Sequence, residues 1–546
     1  METKLCKNCK NNFEIQDSDL AFYKKLDVPI PTLCHFCRSQ RRLCYRNERV
    51  LYKRKSDYSG KEIISHYSQD KPFKVYENEA WWSDAWDPLE YGSAYDFSRS
   101  FFEQFLQLRK EVPRMALNVT NNENSPYINY AWYSKNCHLC FDVGYTEDVM
   151  YCATTYYSKD VVDTFFAREC ELCYYLIDCQ KCYNSRYLQD CANCHDSYFS
   201  FDCKACTNIA FCSNLRNKSN YIFNKQVSKE EFEKFIKEIK QGSHKKYKEY
   251  FDDFKKVIAS AIHKYTHNLN TENCMGDYIL NSKNCFNCFD SEKCEDLKYC
   301  NRIEEKVVSS MDLDNAAKGE LCYEGLCTNG VNLKFCTIVF NDSSDCTYCD
   351  LLASCSNCFG CVGLKHKNYC ILNKQYSKEA YEEIVPRIIE HMKIIGEWGE
   401  CFTLEDSPFC YNEAVVQEYF PLTKEQVLKK NWRWKEKDIK EYQKQNYEIP
   451  DAILDVPDSI KNEILACESC EKNYKIIEKE LLFYKKLGLP IPRKCPDCRN
   501  LEMRGFRNPR VIIKRNCDNC GTEMETTYSQ DDKKKVFCEK CYLEAL

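Results

Sequence analysis

Residues 182–203, CYNSRYLQDCANCHDSYFSFDC, alternate small, polar and aromatic side chains with almost no helical period. Cys179/Cys182, Cys191/Cys194 and Cys203/Cys206 form C-x2-C pairs across this stretch, spaced by twelve. A short fixed period of this kind reads as a small β-solenoid, in which each coil stacks its side chains on those of the next. Working outward, the stretch belongs to a duplication with an offset of 148 to 149. SKNCHLCFD (134–142) matches SKNCFNCFD (282–290), EDVMYC (147–152) matches EDLKYC (295–300), and NKQVSKEEFE (224–233) matches NKQYSKEAYE (373–382). The second copy is less regular, with Cys346/Cys349 and Cys355/Cys358/Cys361, so its coils are expected to vary in length. Each copy closes on an amphipathic helix. Phe232, Phe235, Ile236 and Ile239 share a face in one, with Ser228 and Glu231 as a capping box. In the other, Tyr381, Ile384, Val385, Ile388 and Ile389 do the same, with Pro386 predicting a kink or a later start.

A second duplication joins the chain ends. Cys6, Cys9, Cys34 and Cys37 recur 461 positions later as Cys467, Cys470, Cys495 and Cys498. The register then holds without a gap to Tyr67–Asp70 and Tyr528–Asp531, some 80 residues in all. Two C-x2-C knuckles supply four thiolates, the soft tetrahedral set of a structural zinc site. Cys517, Cys520, Cys538 and Cys541 form a third set, spaced like a zinc ribbon. About three zinc ions per chain are therefore expected. Opposite that third set the amino-terminal copy has Ser56, Ser59, Glu77 and Ala80. It should exist as a metal-free ribbon, with Trp81 and Trp82 packing in place of the ion.

The first two modules resemble the treble-clef type of zinc-binding domain, in which C-x2-C, an FY dipeptide and a proline precede C-x2-C-R. Here the pattern is Cys6, Cys9, Phe22-Tyr23, Pro31, Cys34, Cys37 and Arg38, then Cys467, Cys470, Phe483-Tyr484, Pro492, Cys495, Cys498 and Arg499. The resemblance covers about 40 residues per copy and implies a metal-dependent fold without implying an activity.

The chain has 546 residues and 41 cysteines against 9 histidines and 15 glycines. Such a length calls for several domains, and so few histidines exclude a haem array. An odd cysteine count behind an amino terminus with no secretion signal argues for reduced thiols in the cytoplasm. No apolar run is long enough to span a membrane. Of the 29 cysteines outside the three sets, buried small hydrophobes in solenoid coils are one reading. Extra zinc or iron–sulfur ligation, for instance by Cys137/Cys140 facing Cys285/Cys288, is another, and disulfides are a third. Cys191, Cys194 and His195 match a c-type haem attachment pattern in a single instance.

Charge is unevenly divided: residues 1–56 carry a net +7 and residues 461–546 a net +4, while the whole chain is −5. Arg38, Arg41, Arg42, Arg46 and Arg49 gather after the second knuckle, where a helix should begin; Arg499, Arg504, Arg507 and Arg510 do so in the other copy. Such arginines can neutralise nucleic-acid phosphates, or they can pair with the chain's own acidic centre. No Walker loop, dinucleotide fingerprint, H-E-x-x-H or Ser–His–Asp order is present.

The sequence therefore predicts an α+β, multi-domain chain. A treble-clef zinc module (1–56) and a metal-free ribbon plus helix (57–117) lead into a Cys-rich solenoid copy with helices (118–269). A second such copy with a helix (270–398), a linker or cover (399–466), the repeated treble-clef module (467–515) and a zinc ribbon (516–546) follow. The expected role is a non-enzymatic zinc scaffold binding RNA, DNA or a protein partner, with no small-molecule substrate. The competing role is metal or redox handling by the central cysteines.

Overall fold

The computed structural model describes residues 1–326, 330–331, 334, 339–340, 343–436 and 442–546; part of the second duplicated copy and five residues of the expected linker lie outside the described residues. Helices and several separate sheets make the chain α+β.

The largest sheet has twelve strands, from Val119–Thr120 to Lys225–Gln226, and its parallel strands follow one another closely in chain order. Each pairs with the chain twelve residues on: Lys159 with Glu171, Tyr174 with Arg186, Arg186 with Tyr198. The local cause is a second period, of three. Asp160, Asp163, Phe166 and Glu169 all have a left-handed backbone within one twelve-residue step, and residues three apart continue the pattern along the ladder. Asn and Asp tolerate that conformation best and recur at these corners. The residue after each corner points inward, and the enclosed space admits only modest side chains. Cys170, Cys173, Leu176, Cys179, Cys182, Ser185 and Leu188 are all buried in this way. A cysteine here is a small apolar side chain whose thiol finds a nearby acceptor: Cys173 Sγ donates to Glu171 O at 3.1 Å and Cys179 Sγ to Ile177 O at 3.2 Å.

The second copy repeats the ladder with uneven steps. Met275 pairs with Phe286, Lys283 with Glu295 and Glu295 with Val308, offsets of eleven, twelve and thirteen. The step length thus varies in this copy as expected, but at 275–308 and not at the cysteines that suggested it, since Cys346 pairs with Cys358 and Cys358 with Cys370 at an even twelve. Both closing helices form, at Lys229–Ile239 with the Ser228–Glu231 capping box and at Lys378–Ile394. The latter runs through Pro386, so the expected later start is corrected. The helix expected within residues 57–117 spans Phe101–Glu111. The helix His244–Ser260 buries Tyr247, Phe254 and Ile258.

The two ends fold alike. Hairpins Tyr52–Lys55/Glu62–Ser65 and Ile513–Asn516/Glu523–Thr526 share one register, 461 positions apart. Val75 pairs in parallel with Arg114, and Val536 pairs in parallel with His263. No helix among the described residues is long and apolar enough to cross a membrane.

Candidate metal centres and the contacts they anchor

Three groups of four cysteines converge: Cys6, Cys9, Cys34 and Cys37; Cys467, Cys470, Cys495 and Cys498; Cys517, Cys520, Cys538 and Cys541. Within each group the sulfurs all lie within 4.8 Å of one another. The Sγ···Sγ distances are 3.8 Å for Cys9–Cys34, 3.7 Å for Cys470–Cys495 and 3.7 Å for Cys520–Cys538. A tetrahedron with metal–sulfur bonds of about 2.3 Å has edges of roughly 3.8 Å, so the donor sets fit a four-coordinate soft-metal site.

Local structure favours the anion at some of these thiols, whereas burial raises others, Cys495 to about 11. Cys34, Cys495 and Cys538 are N-caps of the helices His35–Leu43, Pro496–Arg504 and Glu539–Glu544, where the helix end favours negative charge. Main-chain N–H groups point at sulfur: Cys34 N donates to Cys6 Sγ at 3.3 Å and Cys538 N to Cys517 Sγ at 3.2 Å. The Cys34 thiol is pulled down to about 5, chiefly by a hydrogen bond from Cys37. Cys520 falls to about 6, chiefly through Thr522.

At the ribbon position of the amino-terminal half, Ser56 donates to Glu77. Both residues stand where cysteines stand in the other half. Trp81 is fully buried beside Tyr76 and Met115, whereas Trp82 is 37% exposed, so of the two only Trp81 fills the core.

All nine arginines singled out from the sequence are drawn into ion pairs within the chain, the second of the two alternatives that the sequence left open for them. Arg38 meets Asp312 at 2.9 Å, Arg41 meets Glu324 at 2.7 Å and Arg42 meets Asp314 at 2.7 Å. Arg46 meets Glu48 at 2.6 Å and Asp142 at 2.8 Å, and Arg49 approaches Asp497 at 3.6 Å. In the other half, Arg499 meets Asp163, Arg504 meets Glu418, Arg507 meets Asp178 and Arg510 meets Asp290. Burial makes this pairing obligatory, since an unpaired buried guanidinium is far costlier than a paired one.

The pairs follow both duplications at once. Arg38 and Arg499 are 461 apart, and their partners Asp312 and Asp163 are 149 apart. Arg46–Asp142 and Arg507–Asp290 correspond likewise, at 461 and 148. Arg38 lies over the ring of Tyr299 as Arg499 lies over Tyr151. Tyr23 packs on Tyr323 as Tyr484 packs on Tyr174. Each end module therefore reaches both central copies, in a pseudo-twofold arrangement that neither duplication specifies alone.

Among the described residues the central cysteines add no further group of this kind. Cys137 and Cys140 lie in one buried cluster and Cys285 and Cys288 in another; Cys191 and Cys194 lie in the first cluster, and both are buried. No family model matches the chain, and no curated protein matches it.

Proposed function

We propose that this protein is a non-enzymatic zinc scaffold whose terminal metal modules clamp two β-solenoid copies together. In this reading two treble-clef modules (1–56 and 467–515) and a zinc ribbon (516–546) hold about three zinc ions through the twelve cysteines. The metal-free ribbon (57–117) and the cover (399–466) complete the clamp around the copies at 118–269 and 270–398. One observation carries it: the arginine that follows the last cysteine of each treble-clef set, Arg38 after Cys37 and Arg499 after Cys498, pairs with a buried carboxylate of a central copy. Metal binding orders the first turn of the helix that aims this arginine, so zinc and docking become one event. The reduced thiols suit a cytoplasmic setting. With the arginines engaged internally, the reading favours a protein partner on the outer ladder faces over RNA or DNA.

Chelation followed by limited proteolysis tests the clamp. Stripping the metal should release residues 1–56 and 467–546 to cleavage before the ladders, and zinc should restore protection. Equal protection with and without metal would remove the reading.

A further inference from the structure

A cavity of about 430 Å³ lies between the two central copies and the last helix; Tyr156, Asp178 and Asp190 line it from one copy, Tyr278 and Glu304 from the other, and Tyr542 from the helix Glu539–Glu544. That volume is in the range of small-molecule sites, which combine apolar walls with a few convergent polar groups. Leu269, Leu280 and Ile303 supply apolar wall.

Two buried carboxylate clusters border it, and in each the carboxylates outnumber the enclosed cations by one. In the first, Asp178, Asp190, Asp277 and Asp290 share His267, Arg507 and Arg510. Asp190 is 9% exposed, its nearest cation is His267 at 3.7 Å, and its Oδ2 has no hydrogen-bond donor. In the second, Glu48, Asp142 and Glu304 face Arg46 and Arg302. Here the phenol oxygen of Tyr156, with one proton to donate, lies 2.9 Å from Asp142 Oδ2 and 2.6 Å from Glu304 Oε1. Lys204 also borders the cavity and acts on Asp190, but it is 47% exposed and 3.8 Å from Asp202, so solvent screens its charge. Burial pushes Asp178 and Glu304 up to about 7 and raises Asp190, the response of carboxylates short of a counter-charge.

We propose that this cavity binds a small organic cation, an aliphatic amine or guanidine, whose charged groups complete the clusters at Asp190 and Glu304 while its carbon chain lies against the aromatic and aliphatic wall. A cation over Tyr156 gains further from the ring face.

The test is calorimetric titration of the whole zinc-loaded protein with 1,5-diaminopentane, and with pentane-1,5-diol as the uncharged match. The diamine should bind and raise the melting temperature, and the diol should do neither. Asp190→Asn and Glu304→Gln should each weaken diamine binding at least about ten-fold. Both exchanges preserve shape; Glu304→Gln removes an unmatched charge and should melt no lower than the parent, while Asp190→Asn takes from His267 one of its two carboxylates, so its native near-ultraviolet circular dichroism is the check that separates lost binding from lost folding. Equal binding of diol and diamine, or undiminished diamine binding in both variants, would overturn the proposal.

Discussion

Arg499 Nε lies 2.9 Å from Asp163 Oδ2, and both side chains are buried. The carboxyl of Asp163 is raised above its ordinary value by burial, with Arg499 opposing the rise. Removing the guanidinium would leave that carboxylate enclosed without its partner. Arg499→Ala should therefore destabilise the protein by about 3–5 kcal/mol, read as a fall in denaturant midpoint. Arg387→Ala, at an exposed pair with Glu383, should change stability by less than about 0.5 kcal/mol. Similar effects from the two would deny the internal pairs their role.

Ser56, Ser59, Glu77 and Ala80 occupy the positions of the ribbon ligands in a hairpin of identical register. The combined variant Ser56→Cys, Ser59→Cys, Glu77→Cys and Ala80→Cys should thus create a fourth tetrathiolate site. Cobalt substitution should raise the thiolate charge-transfer absorbance by about one third, in proportion to one site added to three. Unchanged absorbance in a folded variant would contradict the shared ribbon fold.

Cys179 is enclosed at an inward ladder position. Cys179→Ala should cost at most about 2 kcal/mol and leave the metal content untouched. Cys179→Leu should cost more than the alanine exchange, because the enclosed position has no room for the larger side chain. Loss of metal from the alanine variant would instead favour metal handling by the central thiols.

His267 sits 3.0 Å from Asp277 and 3.7 Å from Asp190, stacked on Tyr278. Burial opposes its protonation, but these carboxylates outweigh burial and raise it from 6.5 to about 9. A group raised on folding stabilises fully below its unfolded value and loses that contribution as pH rises through its folded value. Stability should accordingly fall between about pH 6.5 and pH 9, and His267→Gln should flatten that part of the profile. A slope that survives the substitution would assign it elsewhere.

The three cysteine groups were legible because a knuckle is local: two cysteines three apart declare themselves without knowledge of the fold. The twelve-residue step was legible for the same reason. The period of three beneath it was not, because its left-handed corners carry residues such as Asp163, Phe166 and Tyr175 where glycine would have signalled them. The fate of the arginines was hidden for another reason. A net charge of +7 records an excess of cations but not which carboxylates will meet them, and Arg42 finds Asp314 some 272 residues away. Both offsets, 461 and 148 to 149, were readable; that each end module would pair with both central copies emerges only from the folded chain.

The most direct measurement is elemental analysis of native protein purified without added metal. Three equivalents of zinc per chain, falling to two when Cys520→Ser removes one ligand of the exposed ribbon site, is the expected result. A fully folded native protein containing no bound transition metal would contradict it.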